Sequence, residues 1–533
     1  MSQAQAATAG TSEDSSFSYD EVPYESYAYR DTHPDHLYLA GKLFGMNPPD
    51  FKTARVLELG CAAGGNLLPY ALAFPESKCI GIDLSIEEIN EGNHIKNALK
   101  VKNVELLQKD IMKIGKDFGT FDYIIAHGVF SWVPDFVRDK ILELCRNNLS
   151  ENGIAMISYN AYPGWHGVTA LRDIMRYHSQ AFKEPREKVM QSRSLLNFLS
   201  QNAPKTHTFY KEFIDKERET LSNANETYIY HDHLADINNP YYLYQFNDML
   251  VKSDLQYVGD TSLTSMYLKN MGTAAAAQFS KLKDHIRQEQ YIDFLLNRRF
   301  RMSIVTHAAV KLNRTLNAEQ IFDFYLTSNV APVGDNPGPH REVVFKKIQE
   351  ERHFSTKDPV STAFFLALYA AGRKPVSVKE LAQTVKTQLN LPDTEPVMQL
   401  ARQCGIDFAF SGFIELHAIA DDFVTTVSEK PVAYALARYE AKANPERKRL
   451  TSAARHTGGT NKFLNLLLGY CDGKNDIDSL VEKMLAHVKD QDFTLIDPVT
   501  KNPLRSDDTT REKIETIVSQ VLENCAKKAF LVG

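Results

Sequence analysis

Three carboxylates and a turn of small residues are the first groups in this 533-residue chain that could do chemistry together. Glu58 stands in the apolar run 56–59, and Gly60, Cys61, Ala62, Ala63, Gly64 and Gly65 follow it. Such a turn lets a ligand approach the backbone, because little or no side chain stands in the way. The run reads as a buried strand, and Leu67, Leu68, Ala71 and Leu72 recur at helical spacing. Strand, small-residue turn and helix N-terminus together make a cradle for a nucleotide. Asp83 ends a second apolar run about 20 residues after Gly60, where an acid can accept from both hydroxyls of a ribose. Asp110 ends a third, where a carboxylate can accept from an adenine amino group while a neighbouring N–H reaches a ring nitrogen.

These residues need a sheet to hold them in register. The pattern predicts strands at 55–59, 78–83, 104–108, 123–126 and 154–159, alternating with helices at 86–99 and 134–149. Ser85-x-x-Glu88 is a capping box for the first of those helices. Thr32-His33-Pro34-Asp35 predicts a capped helix from 32 to about 46. This alternation predicts an α/β fold with a doubly wound, parallel sheet. Residues 166–250 read as a helical insertion, with the last two of seven strands at 256–261 and 301–306. The first domain then spans 19–315, after a disordered tail at 1–18. Pro332 to Pro339 reads as a linker. A winged-helix-like unit is expected at 316–430 and a C-terminal helical unit at 431–533.

Composition excludes several classes. A net charge of −6 gives no general attraction to nucleic acid or anionic lipid. No apolar run is long enough to span a bilayer, so no membrane insertion is expected. Six cysteines without a Cys-x-x-Cys pair point to reduced thiols in a cytoplasmic protein, with no zinc site. His231, His233 and Asp236 lack a convincing further metal ligand and read as a polar loop near a cleft mouth. Asp472 to Asp478 lacks the glycine and glutamate of a calcium loop and reads as a turn with a helix cap. Arg298, Arg299 and Arg301 read as a solvated face or as interdomain ion pairs.

A dinucleotide loop would prefer glycine where Ala62 stands. Glu58-x-Gly60-x-Ala62-x-Gly64 instead resembles the S-adenosylmethionine fingerprint of class I methyltransferases, and the resemblance runs on through Asp83 and Asp110. It implies a cofactor site built from Glu58, Gly60, Ala62, Gly64, Asp83, Leu84, Asp110, Ile111, His127 and Gly128. The methyl-transfer side would lie along 126–132, which holds no [DN]-P-P-[YF] sequence, so a nucleic-acid substrate is not expected. Trp132 and Trp165 follow strand ends and, with Tyr24, Tyr162 and His166, are expected to form an aromatic pocket for an amine; each tryptophan could equally pack the insertion. His127 is the candidate general base or else a structural histidine, and Tyr159 and Asn160 would orient the amine.

Further segments resemble methyltransferases carrying a methyltransferase regulatory domain. They are Tyr19 to Tyr24, Thr32-His33-Pro34, His127 to Pro134, Ser158 to His166, and Gln290 to Arg301. That group includes the rickettsial lysine methyltransferases that modify outer-membrane proteins. The resemblance implies a protein substrate, possibly an outer-membrane or secreted protein before export, and methyl transfer to lysine. A small-molecule methyltransferase and a SAM-binding scaffold without turnover are the alternatives.

Overall fold

The computed structural model describes residues 25–334, 337–490 and 511–533. Tyr24 and the segment 1–18 lie outside the described residues. Seven strands form one sheet: β1 (Arg55–Leu59), β2 (Lys78–Asp83), β3 (Val104–Gln108), β4 (Phe121–Ala126), β5 (Leu149–Asn160), β6 (Leu255–Asp260) and β7 (Phe300–His307). Their order is β3-β2-β1-β4-β5-β7-β6. The first five run parallel. β7 runs antiparallel to both its neighbours, so the sheet is mixed rather than parallel as expected. Apolar runs reveal strands but not their direction, which depends on the route of the connecting chain. Strand order reverses between β1 and β4, and the crevice outside their C-terminal ends is where such sheets bind ligands.

The insertion comprises helices Trp165–Ser179, Pro185–Asn202, Thr208–Ser222 and Leu243–Lys252, with a π-helical turn at Ile229–Leu234. Leu171, Met175, Val189, Leu196, Ile214, Leu221 and Ile229 give it a core of its own. Ser85 caps the helix Ile86–Ala98 by accepting from the Glu88 N–H, as its sequence pattern requires. Thr32 does not cap a helix. His33 is the N-cap residue of Pro34–Leu43, and Thr32 Oγ1 donates to the Tyr29 carbonyl at 2.8 Å.

The three arginines near 300 are neither a solvated face nor interdomain. Arg301 is fully buried inside the sheet domain. Its Nε and Nη2 donate to the two oxygens of Asp293, each at 2.8 Å, and Nη1 donates to Tyr257 Oη at 3.0 Å and Glu289 at 3.2 Å. Arg298 shares Asp293 at 2.5 Å, and Arg299 pairs with Glu217 of the insertion at 2.6 Å. Buried guanidinium groups need this degree of pairing.

Beyond the sheet, Val376–Ser377, Tyr325–Ser328 and Ile414–His417 form a small sheet packed with helices Pro359–Ala370, Val378–Leu389 and Glu395–Phe410. The expected linker at 332–339 lies inside this unit instead, between the antiparallel strands Val330–Pro332 and Val343–Lys347; 335 and 336 are outside the described residues. Proline and glycine mark a turn here without marking a domain boundary. The last unit packs helices Ala435–Ala443, Lys462–Tyr470, Ile477–Lys489 and Arg511–Lys527 around a separate core. Asp476 caps the third of these by accepting from the Ser479 N–H. This unit also carries a hairpin, Arg449–Thr451 with Thr457–Gly459.

Candidate active site

A cavity of about 510 Å³ opens at the crevice. Its cofactor half is lined by Glu58, Gly60, Ala62, Asp83, Leu84 and Ile111, with His127 and Gly128 at the end of β4. Gly60, Ala62 and Gly64 have φ of +71°, +46° and +73°. A left-handed backbone is natural for glycine and strained for alanine, so Ala62 holds a conformation its neighbours impose. Its N–H donates to Asp83 Oδ2 at 2.9 Å, while Asp83 Oδ1 accepts from the Ser85 N–H at 3.0 Å. The acid that ends β2 is thus locked against the loop that ends β1.

Glu58 is 3% exposed, and burial pushes its carboxyl up to about 7. Oε1 accepts from Asn66 Nδ2 at 2.9 Å, whereas the buried Oε2 has no hydrogen-bond partner. A lone carboxylate oxygen beside a nucleotide-type loop suits a ligand that carries an ammonium.

The roof is a strap, 25–30, that sequence reasoning did not single out as cofactor-facing. Glu25, Ser26, Tyr27 and Tyr29 line the cavity. Ser26 Oγ accepts from the Gly65 N–H at 2.8 Å, and the Tyr29 N–H donates to Asn66 Oδ1 at 2.8 Å. The C-terminal unit grips this strap from outside. Arg447 and Arg449 each lie 5.6 Å from the centre of the Tyr27 ring, and Thr457 Oγ1 donates to the Ala28 carbonyl at 3.1 Å. Arg455, fully buried, bridges Asp35 at 2.7 Å and Asp421 at 3.0 Å.

The other half of the cavity is walled by Trp132, Asn160 and Trp165, together with Glu217, Tyr228, His231 to His233, Arg299 and Phe300. The two tryptophans meet edge to face, with centroids 6.1 Å apart. Asn160 Nδ2 donates to Asn238 Oδ1 at 2.9 Å, which fixes its amide. His127 packs against Tyr29 at 4.3 Å and Phe300 at 6.0 Å. Burial pushes His127 down to about 4, and its Nδ1 is buried without a partner. An imidazole this weakly basic is neutral at pH 7, so it accepts a hydrogen bond rather than storing a proton.

Five expected site residues, Gly64, Asp110, Tyr159, Tyr162 and His166, are not on the cavity wall. Tyr159 points to the opposite face of the sheet, stacked on Phe246 at 4.3 Å, because alternate side chains of a strand face opposite ways. Tyr162 stacks on His166 at 4.0 Å outside the cavity, and His166 Nε2 meets Tyr242 Oη at 2.9 Å. Asp110 spends Oδ1 on the Met112 N–H as the cap of a short 3₁₀ turn, while its neighbours Lys109 and Ile111 line the wall. Gly64 shapes the loop from behind. His231 and His233 belong to the π-helical turn on the cavity wall rather than to a polar loop. No group of three or more potential metal ligands occurs among the described residues. None of the described helices is long and apolar enough to cross a membrane.

Residues 50–245 match the family described as methyltransferase domain, and residues 225–307 match the methyltransferase regulatory domain. The second match covers β6, β7 and the π-helical turn, so that "domain" completes the sheet and the cavity. Residues 429–530 match the PKMT C-terminal winged helix domain, whereas the sequence expectation put the winged helix at 316–430. The chain is 36% identical over 520 residues to Rickettsia prowazekii protein RP789, covering 96% of this chain and 93% of that protein. It is 35% identical over 104 residues to the ribosomal RNA small subunit methyltransferase G of Flavobacterium johnsoniae, covering 19% of this chain and 46% of that one. Rickettsia typhi PKMT2, solved alone and in complex with AdoHcy, is 30% identical and covers 96% of this chain and 100% of its own, with TM-scores of 0.85 and 0.87. The chain belongs to the class I S-adenosylmethionine-dependent methyltransferases that carry a methyltransferase regulatory domain and a PKMT C-terminal winged-helix domain.

Proposed function

We propose that this methyltransferase transfers its methyl group to lysine side chains of a polypeptide. The observation that carries the reading is a single cavity with two unlike halves, a carboxylate-bearing nucleotide half joined to an aromatic half, with His127 and His233 held neutral on its wall. The full-length match to a protein named PKMT2 supports it.

Asp83 would take the ribose hydroxyls and Glu58 Oε2 the cofactor's ammonium, while the left-handed Gly60–Ala62 turn lets the backbone come close. Bound S-adenosylmethionine supplies a methyl already activated on a sulfonium. The chain's task is then to align a neutral amine and exclude water. Trp132, Trp165 and Phe300 desolvate the amine, which favours its uncharged form. In the transfer the amine nitrogen bonds to the methyl carbon, the carbon–sulfur bond breaks, and its electron pair stays on sulfur. The methylated amine then loses a proton to solvent. His127, neutral and unpartnered at Nδ1, would accept an N–H near the transferring methyl.

Acetylating the lysines of a cell lysate with acetic anhydride tests the acceptor. Labelling of the lysate proteins by tritiated S-adenosylmethionine should fall to background. Unchanged protein labelling after complete acetylation would rule lysine out.

A further inference from the structure

We propose that His233 is the group in the acceptor half of the cavity that holds the incoming amine, accepting its N–H so that the nitrogen lone pair faces the methyl. The inference rests on the lysine reading above and assigns a residue to it.

His233 is 2% exposed and lines the cavity. Neither ring nitrogen has a hydrogen-bond partner. Folded proteins rarely bury a polar group unpaired; such a group is matched to a ligand or stores strain. The ring is positioned by packing. It lies nearly parallel to Trp165 with centroids 6.5 Å apart, and Tyr228 meets it edge-on at 5.5 Å. It belongs to the π-helical turn Ile229–Leu234, and such irregular turns are frequent at functional sites.

The electrostatic setting selects the protonation state of the guest. Burial, with Arg172 and Arg299 nearby, pushes His233 down to about 4, so the imidazole is neutral at pH 7. Arg299 is paired with Glu217, and Arg172 donates to the carbonyls of Asp232 and Ala235. The aromatic walls strip water from an amine beside His233, which disfavours its ammonium form, and Arg172, held by backbone carbonyls, adds to that preference. A neutral imidazole keeps one acceptor nitrogen and one N–H. The acceptor suits the N–H of an uncharged primary amine at the tip of an unbranched chain; the N–H suits a carbonyl of the same polypeptide. His233 takes no proton in the transfer.

His233→Phe keeps the ring stacked on Trp165 and removes both nitrogens; His233→Gln restores an acceptor and a donor. Tritium transfer from S-adenosylmethionine into lysate protein, read as methyl-lysine, is compared with S-adenosylhomocysteine affinity by calorimetry. His233→Phe should lower methyl-lysine formation at least tenfold with affinity within twofold of wild type, and His233→Gln should recover part of the rate. Wild-type rates in His233→Phe would overturn the assignment. Equal losses of rate and S-adenosylhomocysteine affinity in both variants would overturn it as well, since a structural histidine behaves that way. If wild-type protein forms no methyl-lysine, the lysine reading itself fails and this role falls with it.

Discussion

Replacing Glu58 by Gln separates the carboxylate's cost in folding from its use in binding. Burial raises Glu58 from an ordinary 4.5 to about 7. The folded chain therefore holds this proton more tightly than the unfolded chain. The resulting stabilisation is complete below pH 4.5 and is lost as pH rises through 7. A shift of that size corresponds to roughly 3 kcal/mol, at about 1.4 kcal/mol per pH unit. Glutamine has no charge to bury and can still accept from Asn66 Nδ2. In the ligand-free protein, wild type and Glu58→Gln should melt together near pH 4. By pH 8 the variant should melt about 6 °C higher, at about 2 °C per kcal/mol for a domain of this size. Binding should show the opposite preference. If the ionised carboxylate holds the cofactor's ammonium, wild-type affinity for S-adenosylhomocysteine should fall about tenfold from pH 8 to pH 6, as the ionised fraction of a group with pKa 7 falls. The variant should bind weakly at both. Thermal scans and calorimetry across that range check both arms. A melting difference that does not grow with pH, or wild-type affinity in the variant, refutes the reasoning.

Other expectations follow from single contacts. Asp83→Ala removes the acceptor that locks Ala62 and would take the ribose, so S-adenosylhomocysteine affinity should fall at least tenfold by calorimetry; unchanged affinity contradicts the assignment. In Gly65→Ala the new methyl would meet the Ser26 backbone at 2.5 Å, displacing the strap. Cofactor release, followed by stopped-flow fluorescence, should quicken while the melting temperature of the C-terminal unit holds. Arg301→Leu leaves Asp293 with Arg298 alone and Glu289 with Tyr257 alone in the core, and should destabilise the sheet domain by about 3 kcal/mol in urea titration.

What the sequence made legible was what is local. Glu58, Gly60 and Asp83 sit at strand ends that apolar runs locate, and the turn chemistry of Gly60–Gly65 is carried by residue type alone. The helical insertion and the last two strands were equally readable from periodicity. Strand alternation also held a signal that went unused: Ser158 accepts from the Gly128 N–H and Asn160 lines the cavity, so Tyr159 between them had to face away. The rest is long-range. Ser26 meets Gly65, Arg299 meets Glu217, and Arg455 meets Asp35 across 39, 82 and 420 residues, and no spacing rule encodes such partners. The burial of Arg301 shows the same limit, since three arginines in four positions look solvated until their carboxylates are placed.

The central claim is methyl transfer to protein lysine. Its most direct test incubates the purified protein with tritiated S-adenosylmethionine and lysate, hydrolyses the protein fraction, and resolves the labelled amino acids. The account predicts label in N-methylated lysine, abolished in Asp83→Ala. Label confined to small molecules, or to another amino acid in the hydrolysate, would contradict it.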